Sequence, residues 1–505
     1  MIPSVLNGMN GTIDSYKYEI KKMMKKHHIL TPVIGLICIL LLQVGCSDPW
    51  DEHARENEGL TNEPLLERLD EESEASEFMK LLHSSGVDKV LDGNNAYTVF
   101  VPDNNSVQAV AASLQNNAEA LERFVKNHIA VSTHRLNASA DTVRLTMLSG
   151  KTLDFVNSEI DGVAFSKTNQ AGADGLYHLI TDALTPRQSL WEYLNEHADE
   201  AQNAFILSLN AYNLYDTAVV EDPADYYLNN EFLRNVGDMR DENQRFTYFV
   251  LKDADFTADA QQFLPYINYR NHADSSYAIS QYEIVKDLLF KQAYSKENLP
   301  AMLLSASEVS FPVDKSAISQ SVRLSNGWVH ILDRSTLPVV NKLVDTYVQG
   351  EEPWGFSASV AERTFHRVRK DPFGELFTDI MIQNHGVSSL QVAYQTPRMY
   401  STTYDVYWRA LNDVQANVFQ QQVGIFEFDT RPSEDNPEQE VREPIYIFPY
   451  TNVEQNNYSE VYLGEFTLAD YNRIVPVLQG AATTANGNNT LVLDYLRFVP
   501  KLKTN

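Results

Sequence analysis

Thr98-Val99-Phe100-Val101-Pro102-Asp103, followed later by Gly175-Leu176-Tyr177-His178-Leu179-Ile180, decides the fold, because the same couple occurs again. The second copy reads Thr247-Tyr248-Phe249-Val250-Leu251-Lys252 and then Gly327-Trp328-Val329-His330-Ile331-Leu332. In both, the histidine lies eight residues before a proline, Pro186 or Pro338, and the phenylalanine lies 86 or 89 residues before that proline. Repeats that stack into solenoids run at roughly 20–50 residues. A repeat of about 150 residues therefore means two units, each burying its own core.

Around the first copy the pattern is mixed. Residues 75–86 place Phe78, Leu81 and Leu82 at helical spacing and end on Gly86, suited to a left-handed helix end. Residues 107–112 and 118–128 continue helically, with Leu121, Phe124 and Val125 on one face. Residues 144–157 and 162–165 read as short strands divided by Ser149-Gly150. The expected unit is α+β, with helices at one end of a compact antiparallel sheet.

In order, these residues carry a resemblance: Gly86-Val87, Tyr97 through Asp103, Phe124-Val125-Lys126-Asn127-His128-Ile129, Leu148-Ser149-Gly150-Lys151 and Gly175 through Pro186. Over residues 64–187 the chain resembles the fasciclin domain. Residues 188–340 resemble it more distantly, through Leu190-Trp191-Glu192-Tyr193-Leu194, the strand at 247–251, a helix through 285–290 and Ser325 through Asp333. The polar stretch 221–243 is expected to be an enlarged loop before the second strand. The resemblance implies an extracellular binding or adhesion module without catalysis. Animal members use a Tyr-His pair for integrin contact, but here the site reads Asn127-His128, and the second copy reads Phe290-Lys291-Gln292, so that activity is not carried over. His178 and His330 are expected to be structural, since recurrence at one position argues for packing, and the resemblance implies a structural role for His128 as part of the family motif.

Lys25-Lys26-His27-His28 precedes an apolar run at 29–44. A membrane span wants roughly 20 apolar residues, so residues 1–45 read as an upstream region plus a cleaved export signal, with the start expected at Met23 or Met24. Gly45-Cys46-Ser47-Asp48 resembles a bacterial lipoprotein box with Cys46 acylated, although Gln43 stands where an aliphatic residue is usual; ordinary secretion with a free Cys46 is the alternative. Cys38 would leave with the signal, so no intrachain disulfide is expected. Without the five lysines and two acids of residues 1–45, 35 basic residues face 66 acidic ones, a net charge of −31 against −28 for the whole chain. Such a surface repels phosphate backbones and argues against a nucleic-acid partner. Twelve acids lie between Asp48 and Glu77 against Arg55 and Arg68. Residues 46–63 therefore read as a self-repelling tether rather than a metal site. An acidic stretch after the acylated cysteine also resembles the export signals of Bacteroidetes lipoproteins shown on the outer face of the outer membrane.

After Pro338 the pattern changes. Residues 341–371, with Gly350, Pro353, Gly355 and the basic run 366–370, read as a linker or docking segment. Residues 372–505 read as an all-β sandwich: Tyr404, Val406, Trp408 and Ala410 alternate with Asp405, Tyr407 and Arg409, and five further β-rich runs follow. Tyr404 through Trp408, Leu463 through Phe466 and Leu491 through Pro500 resemble jelly-roll domains of the galactose-binding type, which implies glycan binding. A sugar site needs flat aromatic faces and orienting polar groups. Tyr394, Tyr400, Tyr450 and Tyr458, with Asn452, Asn456 and Asn457, supply those types, though tyrosine at a sandwich edge is more often packing. The insertion at 431–444 is expected to be a mobile acidic loop.

No Gly-x-Ser-x-Gly elbow, His-Glu-x-x-His helix, phosphate-binding Gly-Lys-Ser/Thr loop or cysteine cluster occurs. No catalytic residue, metal or cofactor is assigned. The expected protein is a non-catalytic adhesion or glycan-binding lipoprotein, held in the outer membrane by its N-terminal lipid and exposed at the cell surface, with an extracellular glycan or protein as ligand. The alternative is an accessory subunit docked on a TonB-dependent outer-membrane importer, and after it a glycan hydrolase.

Overall fold

The computed structural model describes residues 63–91, 95–114, 116–135, 142–156, 158–213, 227–432, 440–483 and 488–503. The export signal, Cys46 and all of the acidic tether but Glu63 lie outside these residues, as do 221–226 of the expected enlarged loop and 433–439 of the acidic insertion. Among the described residues no helix is long and apolar enough to cross a membrane, a fact that does not bear on β-barrels.

The first unit comprises α1 (Leu65–Glu71), α2 (Ser76–Ser85), β1 (Tyr97–Pro102), α3 (Asn104–Leu114), α4 (Ala118–Lys126), β2 (Ile129–Ala130), β3 (Val143–Thr146), β4 (Thr152–Val156), β5 (Glu159–Ile160), β6 (Val163–Gly172) and β7 (Gly175–Ile180). Gly86 does end α2 in a left-handed conformation, at φ 72°. The sheet order is β2-β1-β7-β6-β5-β4-β3. An all-antiparallel sheet was the expectation; in fact β1 and β7 run parallel, with Phe100 opposite His178. The long connection between them makes this possible, since parallel neighbours need a crossover. An Ala130–Met147 bridge curls the sheet back on itself. All six β1 residues are buried, because helices cover Val99 and Val101 while the curled strands enclose Phe100 with Leu145, Ile160 and Ile180.

The second unit repeats this frame with α5 (Leu190–Glu196), α6 (Ala201–Ser208), β8 (Asn210–Asn213), β9 (Tyr227–Asn230), α7 (Glu231–Asn235), β10 (Phe246–Leu251), α8 (Asp253–Phe263), α9 (Ala273–Val285), β11 (Leu289–Phe290), β12 (Met302–Leu304), β13 (Ser310–Pro312), β14 (Ile318–Leu324) and β15 (Gly327–Leu332). Its order, β11-β10-β15-β14, matches β2-β1-β7-β6. The repeated glycines have one cause: a Cβ on Gly175 would stand 2.5 Å from the Tyr97 carbonyl oxygen, and one on Gly327 would stand 2.1 Å from that of Phe246. Two expectations change here. The helix ends at Val285, because the chain must turn to set Leu289 against Tyr248. Residues 227–243 are not plain loop, as they hold β9 and α7.

After α10 (Val339–Lys342), the supposed linker at 341–371 forms part of the β region. It supplies β16 (Thr346–Gln349), β17 (Gly355–Phe356) and β18 (Thr364–Lys370). Gly350 is there for closeness rather than looseness: its Cβ would lie 2.0 Å from the Leu493 carbonyl oxygen. The remaining strands are β19 (Leu376–Ile382), β20 (Gln391–Ala393), β21 (Thr403–Arg409), β22 (Phe419–Glu427), the short pair β23 (Arg431–Pro432) and β24 (Glu440–Val441), β25 (Pro444–Ile447), β26 (Thr451–Val453), β27 (Val461–Thr467), β28 (Ile474–Gly480), β29 (Leu491–Leu493) and β30 (Tyr495–Pro500). The sheet β16-β30-β21-β27 faces the sheet β17-β20-β28-β22-β25, with β18-β19-β29 beside them. Tyr404, Val406, Trp408, Leu496 and Phe498 share one core with Val392, Val423, Ile425 and Leu478.

Candidate functional site

The buried side of β21 is the expected set Tyr404, Val406 and Trp408, so Asp405, Tyr407 and Arg409 point outward. Its neighbours obey the same alternation, burying Val348 on β16, Leu496 and Phe498 on β30, and Leu463 on β27. Register then aligns the outward residues. Tyr347 is opposite Arg497, Arg497 is opposite Tyr407, and Tyr407 is opposite Tyr462. A bulge between Val406 and Tyr407, with Gly464 at φ 133°, keeps Tyr462 on this face. At about 4.8 Å per strand, the row crosses four strands and spans about 14 Å.

The row is preorganised. Tyr347 and Tyr462 are 50% and 52% exposed. Tyr407 and Tyr462 lie 5.2 Å apart, and Tyr347 meets Tyr495 edge-on at 5.4 Å. The Arg497 guanidinium sits 4.7 Å over the Tyr407 ring. It donates to Glu460 at 2.8 and 2.5 Å and to Asp345 at 2.9 Å. Tyr495 donates to Glu460 at 3.0 Å, Tyr462 to Asp405 at 3.1 Å, and Lys501 pairs with Asp405 and Glu465. The hydrogen bonds to Glu460 and Asp345 raise the Arg497 pKa, and burial followed by Glu460 raises that of Tyr495. Four carboxylates against two cations leave the face acidic, which disfavours an anionic polymer and suits a neutral ligand with flat ring faces.

The residues singled out in the sequence do not form one site. Tyr394 is fully buried, donates to the Gly350 carbonyl at 3.1 Å and offers no face to a ligand. Tyr400 lies in the seam with the second unit, edge-on to Phe263, and donates to Glu283 at 2.8 Å. Tyr450 and Asn452 are exposed; Tyr450 donates to the Gly480 carbonyl at 3.2 Å, and Asn452 accepts from Gln420 at 3.0 Å. Asn456 makes a left-handed turn at φ 55°, and Asn457 accepts from the Ser459 amide. The Tyr458 carbonyl accepts from Arg409 at 3.0 Å, which leads the chain to Glu460 at the row. Tyr347, Tyr407, Tyr462, Tyr495 and Arg497 were missed. Alternation already marked Tyr407 as outward, but the order of strands was needed to gather the rest.

The three histidines are buried and tied to backbone. His128 contacts the Phe124 carbonyl at 2.8 Å and accepts from the Leu184 amide at 2.9 Å. His178 reaches the His134 carbonyl at 3.3 Å, as His330 reaches that of Tyr294 at 3.0 Å. In each copy the strand threonine grips the same loop: Thr98 donates to Ser132 and accepts from the His134 amide, and Thr247 donates to Gln292 and accepts from the Tyr294 amide. Among the described residues no group of three or more His, Cys, Asp or Glu is placed to hold a metal.

The fasciclin domain family matches residues 73–186. No curated protein is significantly similar to the chain. Among solved structures, it is similar to the FAS1 domain pair of the insect cell adhesion molecule fasciclin I, at 15% identity over 52% of this chain and 97% of that one, with a TM-score of 0.21. It is also similar to the CBM36-1 domain of a multidomain xylanase from the hindgut metagenome of Trinervitermes trinervoides, at 17% identity over 32% of this chain and 100% of that one, TM-score 0.20. A xylan-binding domain from Paenibacillus barcinonensis is 9% identical over 32% of this chain and 96% of that one, TM-score 0.20. Likenesses this weak carry no argument, and the architecture rests on the strand orders above.

Proposed function

We propose that this chain is a non-catalytic adhesion or glycan-binding protein, and that the tyrosine row on β16, β30, β21 and β27 holds its ligand. The observation that carries this reading is the alignment of Tyr347, Arg497, Tyr407 and Tyr462 across four strands, with two rings half exposed. The fasciclin domain at 73–186 fits an adhesive role. Residues 188–340 are proposed as a second such module, supported by the repeated strand order and register, and the β region as a galactose-binding-like sandwich, supported by its two facing sheets. Outer-membrane anchoring through Cys46 and display at the cell surface are proposed on the residues around that cysteine.

A glycan array probed with the chain lacking residues 1–46 tests the row. Tyr407→Ala and Tyr462→Ala should each weaken binding about tenfold, while Tyr450→Ala leaves it unchanged. Loss with Tyr450→Ala alone would move the site to the β22–β26 edge. A second reading, docking on an outer-membrane importer, is supported by the β18–β19 hairpin, where Val368, Phe373 and Leu376 are 72%, 92% and 73% exposed. An importer that co-purifies with a chain silent on the array would favour it.

A further inference from the structure

We infer a second ligand site, independent of the tyrosine row: a cavity of about 420 Å³ in the seam between the second unit and the β region, which takes a small carboxylate-bearing ring. Its volume falls in the range of small-molecule sites, roughly 300–1,000 Å³. Phe205, Leu209 and Ile279 give it an apolar wall, and Tyr269, Tyr282 and Tyr471 contribute rings.

Arg398 sets the ligand class. Its guanidinium lies 5.5 Å from the Tyr269 ring centroid and 5.9 Å from that of Tyr471, yet no carboxylate among the described residues is within ion-pair reach of it. Arg367, Arg409 and Arg497 of the same region each engage two carboxylates. In a chain with 68 acidic residues, an arginine at a cavity without one is available to an outside anion. Glu283, also at the cavity, is already engaged by Tyr400, Tyr471 and Lys286. A carboxylate would meet the Arg398 fork in two parallel hydrogen bonds, and its ring would lie against Tyr269 or Tyr471. Glu231, exposed at the start of α7, is left to accept a hydroxyl. A sugar acid and an aromatic acid share this chemistry.

Calorimetric titration of the chain lacking residues 1–46 with galacturonate, galactose, 4-hydroxybenzoate and phenol separates the two sources. At least one acid should bind, and its neutral counterpart about tenfold more weakly or worse. Arg398→Gln should bring the acid down to the neutral level, and Ala278→Trp, at an exposed position of α9 that lines the cavity, should abolish binding by filling it. Tyr407→Ala should change nothing here, so this site and the row fail separately. The site is refuted if neither acid binds, if acid and neutral probes bind alike, or if Arg398→Gln retains full affinity.

Discussion

The two α+β units share a frame and differ at two adjacent buried positions. Register places Ile129 and Leu289 alike, against Val99 and Tyr248, so Asn127 corresponds to Asp287 and His128 to Leu288. Asn127 makes neutral bonds, donating to the Leu184 carbonyl at 2.7 Å and accepting from Ser149 at 3.0 Å. Asp287 keeps the serine, Ser305 at 2.6 Å, but pairs with Lys342, which also reaches the Glu283 carbonyl. One turn back, Glu283 accepts from Tyr400 and Tyr471 of the β region. Burial pushes the Glu283 carboxyl up, but Lys286 and Lys342 outweigh it and hold it below the ordinary carboxylate value. The first unit faces its neighbour differently, through Lys151 on Glu192 and Glu242 at 2.6 and 2.9 Å. The two units share the strand couple and differ in the residues that meet the neighbouring region.

Asp287→Ala should break this comparison hardest. It strands the buried Lys342 charge and should cost about 3–5 kcal/mol, whereas Asn127→Ala should cost about 1–3 kcal/mol; urea unfolding of both variants checks the order, and equal losses would remove the distinction. Next comes pH. Burial lowers His128 and His178 to about 4, while the unfolded chain titrates near 6.5. Folded-state values below the unfolded one mean that the unfolded chain takes up protons first. Stability is then complete above about pH 6.5 and falls toward pH 4, by about 3 kcal/mol for each histidine. His128→Leu, which copies Leu288, should flatten that slope, and a slope left unchanged would assign the acid sensitivity elsewhere.

Smaller effects test the shared couple. Gly175→Ala and Gly327→Ala each press a Cβ onto a carbonyl oxygen and should cost about 1–3 kcal/mol, with Gly327 the worse because its gap is tighter. Thr98→Val and Thr247→Val should each cost about 1 kcal/mol by releasing the clamped loop. Thermal unfolding should show the two threonine variants matched, and a large difference would mean that the clamp is not equivalent in the two copies.

Local sequence made the strand couples legible because a run of apolar residues with Gly-x-x-His fits one role, a strand buried on both faces. It misled at 341–371, where Gly350 and Gly355 read as looseness although close backbone approach requires a glycine at 350 and Gly355 is paired in a strand. Tyr394 and Tyr400 flank Gln395-Thr396-Pro397-Arg398 and so looked like loop aromatics; the partners that hold them, Gly350 and Glu283, are far away in the chain.

The sequence by itself determined the repeated strand couple and its α+β surroundings, a β-rich end, and which side of β21 faces the core. Periodicity and hard steric limits act over a few residues, so they are written locally. Only the tertiary structure decided which outward residues stand together and that Arg398 has no acid in reach among the described residues. Those outcomes depend on strand order and domain seams, which join residues that no local pattern connects.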